Sequence, residues 1–219
     1  MEFNIKLLFV ITSMVLNFNA AAKEKISLLA PYDEWYFNFF YPDSLPAEVT
    51  YVELLDTDGI YYQFRTLAST NASPGSVGQW SEKVSGMSSV FNKAKNPPMS
   101  IHFCWDSVID KKEYETWITL AGEVWKLMLT LYSPPGGGSE KYYLRYLLIG
   151  LAPEGKIGVW LEKPDKPNIR LTDKQILIET VSGEKMEMCK GISRHDFSLG
   201  DDEYVLEFIK DKKYPYGNW

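Results

Sequence analysis

The sequence predicts a β-rich α+β domain, a largely antiparallel sheet or sandwich carrying one or two helices. Three observations predict it. Short aromatic and β-branched runs recur along the chain. Turn residues separate them at hairpin-like intervals. Helical periodicity is confined to one or two stretches, and no internal repeat or domain boundary interrupts the pattern. About eight or nine strands follow from this spacing.

Trp35 to Tyr41 is the first strand, dense in aromatics and bounded by Pro31 and Pro42. Ala47 to Leu55 leads into Asp56-Thr57-Asp58-Gly59 and returns through Ile60 to Leu67, a hairpin whose Asp-Gly pair suits positive-φ turn positions. Residues 68–98 are rich in Ser, Asn, Gly and Pro and read as a long loop, with Val84, Met87, Phe91 and Ala94 hinting at a helix that Gly86 and the serines weaken. From Met99 the chain alternates. Met99, Ile101, Phe103 and Trp105 face one way and Ser100, His102, Cys104 and Asp106 the other, as in a half-buried strand. Tyr114 to Ile118 is a further strand, after which Thr119 is placed to cap a helix over Ala121 to Tyr132. In that helix Val124, Leu127, Met128 and Leu131 fall on one face. Past the flexible Pro134-Pro135-Gly136-Gly137-Gly138 connection, Lys141 to Leu151 and Lys156 to Leu161 form the strongest hairpin, its first arm apolar on both faces and therefore central. Gln175 to Val181, Lys185 to Cys189 and Tyr204 to Ile209 complete the strand-like runs.

The first 22 residues read as a secretory signal peptide. Lys6 precedes an apolar run from Leu7 to Ile11, interrupted and resumed at Met14, and Ala20-Ala21-Ala22 offers a small-residue cleavage site. Residues 23–219 then form a single β-rich globular domain, exported to the periplasm. With no cysteine at the cleavage site, it is not expected to be a lipoprotein, and no later segment is long and apolar enough to span a membrane. The two cysteines, Cys104 and Cys189, are free to oxidise in that compartment. A bridge would close a long loop and stabilise the fold by roughly 4–5 kcal/mol, while two buried thiols fit the strand-like surroundings equally well.

A net charge of −6 argues against a phosphate-tracking nucleic-acid binder. Catalytic and cofactor patterns are lacking. The only histidines, His102 and His195, have no His or Cys at i+3 or i+4 for metal. The Asp56 turn lacks the bidentate Glu of a calcium loop, and Gly136-Gly137-Gly138 lacks the Lys-Ser/Thr of a phosphate cradle. His195-Asp196 stands without the other parts of a kinase loop, and His102 beside Cys104 reads as structural rather than as a thiolate pair. No catalytic, cofactor-binding or metal-binding residue is assigned.

The stretch Tyr146 to Leu161, reading YLLIGLAPEGKIGVWL, resembles the most recognisable segment of a bacterial family, domain-of-unknown-function family 2931, in which an apolar strand, G-L-A-P-G-G-K and a strand with V-W-L follow one another. Glu154 stands where a glycine is common. Pro98 to Ser107 with Tyr114 resembles the family's upstream strand, so the similarity spans most of the exported chain. The resemblance implies an exported protein without assigned catalytic residues. Some relatives are encoded beside type VI secretion effectors, phospholipases among them, and this implies an immunity protein that binds and blocks a toxic effector. Trp80 and the loop at Gly137 are the expected partner-binding candidates, since loops on rigid strands carry recognition. The alternative is an envelope module for a small molecule, glycan or lipid, reading its ligand through aromatic rings.

Overall fold

A computed structural model describes residues 28–134 and 136–219; the expected leader lies outside the described residues. The chain runs through β1 (Trp35–Pro42), β2 (Ala47–Asp56), β3 (Tyr61–Phe64), β4 (Asn71–Ser73), β5 (Lys93–Ala94), β6 (Pro98–Ser107), β7 (Lys112–Leu120), α1 (Gly122–Leu129), β8 (Tyr146–Ala152), β9 (Lys156–Leu161), β10 (Ile169–Arg170), β11 (Ile176–Ser182) and α2 (Glu203–Ile209). These strands form two sheets. The first has the order β10-β9-β8-β1-β4, with β5 also on β1, and the second β11-β7-β6-β2-β3. The second sheet is antiparallel throughout, whereas β1 pairs with β8 and β4 in parallel. A parallel pair needs a long crossover, and here the crossover from β1 to β8 contains most of the second sheet.

The sheets close on one core. Trp35, Phe37 and Phe39 of β1, Leu147, Ile149 and Leu151 of β8, and Val159 and Leu161 of β9 meet Val52 and Leu54 of β2, Ile101, Phe103 and Trp105 of β6, and Ile118 of β7. Alternation puts these residues on the inner faces, as the period of two requires. Val124 and Met128 of α1 join the same core, fully buried. Beyond the ordinary two-layer arrangement, both outer faces are partly covered. On the first sheet Phe40, Leu148, Ala152 and Trp160 are roofed by Trp80, with Val84 and Trp219 packed against them. On the second, Tyr51 and Cys104 lie beneath Met186 and Cys189.

The recognisable β8–β9 sequence has a packing reason. Gly150 lies opposite Gly158 in the ladder. A Cβ on Gly150 would stand 2.5 Å from the Trp80 ring and 2.9 Å from Phe40, and one on Gly158 would overlap the Trp160 ring. The two glycines therefore form the seat for the outer indoles. In the turn between the strands, Glu154 sits at φ 63° and Gly155 at φ 70°, which explains why glycine suits the Glu154 position.

Several expectations are corrected. Residues 84–91 form no helix; they lie in irregular backbone over the first sheet. Thr119 caps nothing, because β7 runs on to Leu120 and pairs Thr119 with Leu177. The helix starts after Ala121 and ends at Leu129, leaving Leu131 exposed. Lys185 to Cys189 is a turn region rather than a strand, and Tyr204 to Ile209 is the helix α2. In that last case the strand-like composition is carried by a helix, in which Tyr204 and Leu206 are exposed and only Val205 is buried. The strand β6 is covered on both faces rather than half-buried: Cys104 and Asp106 are 2% and 1% exposed beneath the 186–195 segment.

Candidate functional site

The site with the most recognition chemistry is a tyrosine-lined groove of about 830 Å³ at one end of the central strands of the first sheet. Tyr146 opens β8, Tyr142 and Tyr143 precede it, and Tyr32 comes from the segment leading into β1. Their rings are held by stacking. Tyr146 stacks on Tyr36 at 5.2 Å, Tyr142 on Tyr132 at 5.7 Å, and Tyr32 tilts against Tyr143 at 5.3 Å. Tyr142 donates to Asp165 Oδ1 at 3.4 Å, and the Tyr146 hydroxyl meets Ser88 Oγ at 2.6 Å. The Tyr32 hydroxyl is buried and has no hydrogen-bond partner among the described residues. Burial pushes its pKa well above the ordinary phenol value, opposed by the Arg145 guanidinium 5.9 Å from the ring centroid. Tyr142 shifts in the same direction, through burial and then the Asp165 carboxylate. At neutral pH these phenols are protonated donors.

Beside the groove runs an exposed apolar ridge. Met87 is 69% exposed, Val90 78% and Phe91 47%. The ridge is fixed at its start, because Asn38 of β1 accepts from the Met87 amide at 2.8 Å and donates back to the Met87 carbonyl at 3.2 Å. The Gly86 amide donates to Glu162 Oε2 at 2.8 Å, and Lys166 holds the other oxygen of Glu162 at 2.8 Å. Ser88, through Tyr146, ties the ridge to the groove. Ridge and groove are thus one surface on a rigid support.

The expected contact residues fall on different sides of this description. Trp80 is a packed ring, 8% exposed, edge-on to Phe40, Trp160 and Trp219 at 5.2–5.7 Å, and it offers little surface to a partner. Gly137 is exposed at φ 81° with open space around it, in the loop whose Pro134 and Gly138 flank the groove. Met87 and Phe91 were hidden by their helical spacing with Val84 and Ala94, and Val90 was not singled out; Gly86 and the intervening serines were the signal for a loop.

Cys104 and Cys189 are joined in a disulfide, with Cα atoms 5.4 Å apart. Around it, Glu115 is fully buried and saturated: Oε2 accepts the Glu187 and Cys189 amides at 2.7 and 3.1 Å, and Oε1 accepts His102 Nε2 at 2.7 Å and the Met188 amide at 3.3 Å. Burial alone would raise the Glu115 pKa, but these donors outweigh it and hold the carboxyl below its usual range. His102 stacks on Trp117 at 4.3 Å. His102, Glu115 and Cys189 carry ligand-type atoms within 4.8 Å of one another, yet the sulfur is bonded to Cys104 and every strong acceptor position of the carboxylate is taken. The cluster is a clasp that fixes the 186–189 strand cover, and no thiolate is present for the His102–Cys104 pairing considered from sequence. His195 is equally structural in its backbone: Asp106 Oδ2 accepts the Arg194 and His195 amides at 3.1 and 3.3 Å, while Asp196 accepts from the Ser198 amide and hydroxyl. Asp56 accepts the Asp58 and Ile60 amides at 2.9 Å, a turn-forming role.

Fold and surface together define a two-sheet β-sandwich with partly covered outer faces and an open, tyrosine-lined end. The chain belongs to the family described as protein of unknown function (DUF2931), whose model matches residues 19–217. No curated protein and no solved structure matches it. Among the described residues, no helix is long and apolar enough to cross a membrane.

Proposed function

We propose that this is an exported, non-catalytic binding protein of the bacterial envelope, acting as an immunity protein that occludes a secreted toxic effector such as a phospholipase. The observation that supports it best is the exposed ridge of Met87, Val90 and Phe91, pinned beside the tyrosine groove. Apolar side chains held out on a rigid loop and bordered by tyrosines match the core-and-rim composition of protein interfaces. Tyrosine buries large area at low entropic cost, and the overall charge of −6 steers a basic partner. Inhibition by occlusion requires interface area and no reacting group.

The test is capture of envelope proteins and neighbouring secretion effectors on the immobilised protein, followed by titration of effector activity. Stoichiometric loss of that activity, relieved at least tenfold by Met87→Asp or Val90→Asp in a protein of unchanged melting temperature, supports immunity. An effector that stays fully active with the folded protein in excess overturns it.

A second reading rests on the unpartnered Tyr32 hydroxyl. A buried phenol without an acceptor, next to stacked rings, suits a sugar or lipid headgroup that supplies the missing oxygen. Binding of envelope glycan fragments that falls on Tyr32→Phe and is untouched by Val90→Asp favours this module over a protein interface.

A further inference from the structure

The other large cavity lies beside the start of β2, away from the tyrosine groove, with Tyr41 of β1 and Val108 also in its lining. It measures about 470 Å³, within the ~300–1,000 Å³ range of small-ligand sites. Its walls are the start of β2, the 65–70 connection after β3 and the 194–205 segment. Two arginines, Arg65 and Arg194, line it together with His195. Arg194 Nη2 donates to the Arg65 backbone carbonyl at 3.5 Å, and the Arg65 guanidinium lies 5.9 Å from the Tyr51 ring centroid. In a chain with 29 acidic residues and 23 basic ones, neither arginine is ion-paired among the described residues. The ion pairs there belong to Lys93, Lys163, Lys166, Lys190, Lys210 and His102. Glu48 and Asp202 also border the cavity, both exposed to solvent and neither bridged to a guanidinium. The rest of the lining is mixed: Tyr41, Thr50, Ser69 and Thr70 are polar, while Val49, Leu67, Leu199 and Val205 form its apolar part. Of these Leu199 is 64% exposed, an apolar side chain left open at the cavity wall.

We propose that this cavity binds an amphipathic anion, its carboxylate or phosphate taken by Arg65 and Arg194 and its hydrocarbon part lying against Leu67, Leu199 and Val205. The chemistry follows from the lining. Guanidinium groups bind carboxylate and phosphate through paired, charge-assisted hydrogen bonds. Two arginines lining one cavity, neither ion-paired among the described residues, favour an anion there. An inorganic ion would leave the apolar wall wet, whereas an alkyl chain would cover it. The wall that carries Arg194 and His195 is fixed independently of any ligand, since Asp106 accepts both of their backbone amides. Replacing the Arg194 side chain therefore leaves that anchor intact.

The purified protein is titrated by calorimetry with dodecanoate, dodecyl phosphate, neutral dodecanol and inorganic phosphate. The proposal expects saturable one-to-one binding of a dodecyl anion, at least tenfold tighter than dodecanol or phosphate alone. Preference between the two anions distinguishes a fatty-acid source from a phospholipid-derived one. Arg65→Gln and Arg194→Gln each weaken binding about tenfold or more at unchanged melting temperature, the loss expected for one charge-assisted contact. Arg170→Gln, whose guanidinium lies over Trp160 on the other sheet, leaves it unchanged. Equal binding of dodecanol and dodecanoate, or arginine variants that fold and bind as the parent does, overturns the proposal. Because neither ridge nor groove contributes to this cavity, failure here leaves the immunity reading standing, and the reverse holds as well.

Discussion

Glu154 occupies a left-handed backbone position that costs an L side chain about 1–2 kcal/mol. Its backbone amide donates to Asp110 Oδ2 at 2.9 Å, a bond glycine would keep. Glu154→Gly is therefore expected to stabilise the fold by up to about 1 kcal/mol, the rest being offset by glycine's greater freedom when unfolded. The neighbouring position behaves oppositely. At φ 70°, a Cβ on Gly155 would stand 2.9 Å from Tyr114 and 3.0 Å from Thr180, so Gly155→Ala should destabilise by about 2–3 kcal/mol. Urea midpoints of the two variants decide it; shifts in the same direction would refute the backbone account. Glu115 gives a pH signature. Its carboxyl is held below the usual range in the folded state, so its contribution is complete above the ordinary glutamate pKa of about 4.3 and is lost as pH falls through the lower folded value. Glu115→Gln should cost about 2–4 kcal/mol at pH 7 and flatten the loss of stability below about pH 4. An unchanged acid limb in that variant would assign the acid sensitivity to other carboxylates.

At the scale of elements, strand order along the chain was readable wherever the period-two pattern was strong: β1, the β2–β3 hairpin, β6 and the β8–β9 hairpin all stand where aromatic and β-branched runs place them. Two things were not readable. Composition cannot distinguish a strand from a helix in a run as short as Tyr204 to Ile209, where only Val205 meets the body of the protein. Nor does a single strand's sequence show that a distant segment will cover its outer face. Trp80 resembled a surface anchor because it lies in an irregular loop, yet that loop seats its indole on Gly150 and against Trp160. The tyrosine groove escaped for the same reason, since Tyr32 and Tyr143 meet only through the parallel pairing of β1 with β8. The 186–195 cover contains no strand and is held to the second sheet from its outer face. It depends on the disulfide, Glu115 and Asp106. Cys104→Ser with Cys189→Ser should cost up to about 4–5 kcal/mol, given a sequence separation of 85. Amide exchange in this protein should then accelerate first between residues 186 and 197, ahead of β6 and β7; a uniform acceleration would show that the bridge acts only on global stability.

For the molecule as a whole, Asp110 is the point where its parts are joined. From the turn between β6 and β7 it accepts from Tyr114 at 2.9 Å, from the Glu154 amide in the β8–β9 turn at 2.9 Å, and from Tyr214 near the end of the chain at 2.8 Å. With the shared core of both sheets, this predicts one cooperative unfolding transition, calorimetric and van't Hoff enthalpies agreeing. Asp110→Ala should lower the melting temperature by about 5–10 °C without splitting that transition. Two resolved transitions would mean that the sheets are separate folding units. The 186–195 cover has a further bearing, because the same run of chain continues into the wall of the arginine-lined cavity, Arg194 to Val205. A covalent link at Cys189 is thus a foundation for that wall. Protein made in a reducing cytoplasm would keep both sheets while one side of the cavity stood on an unfastened footing. Occupancy of the arginine pair would then report which cellular compartment the chain had passed through.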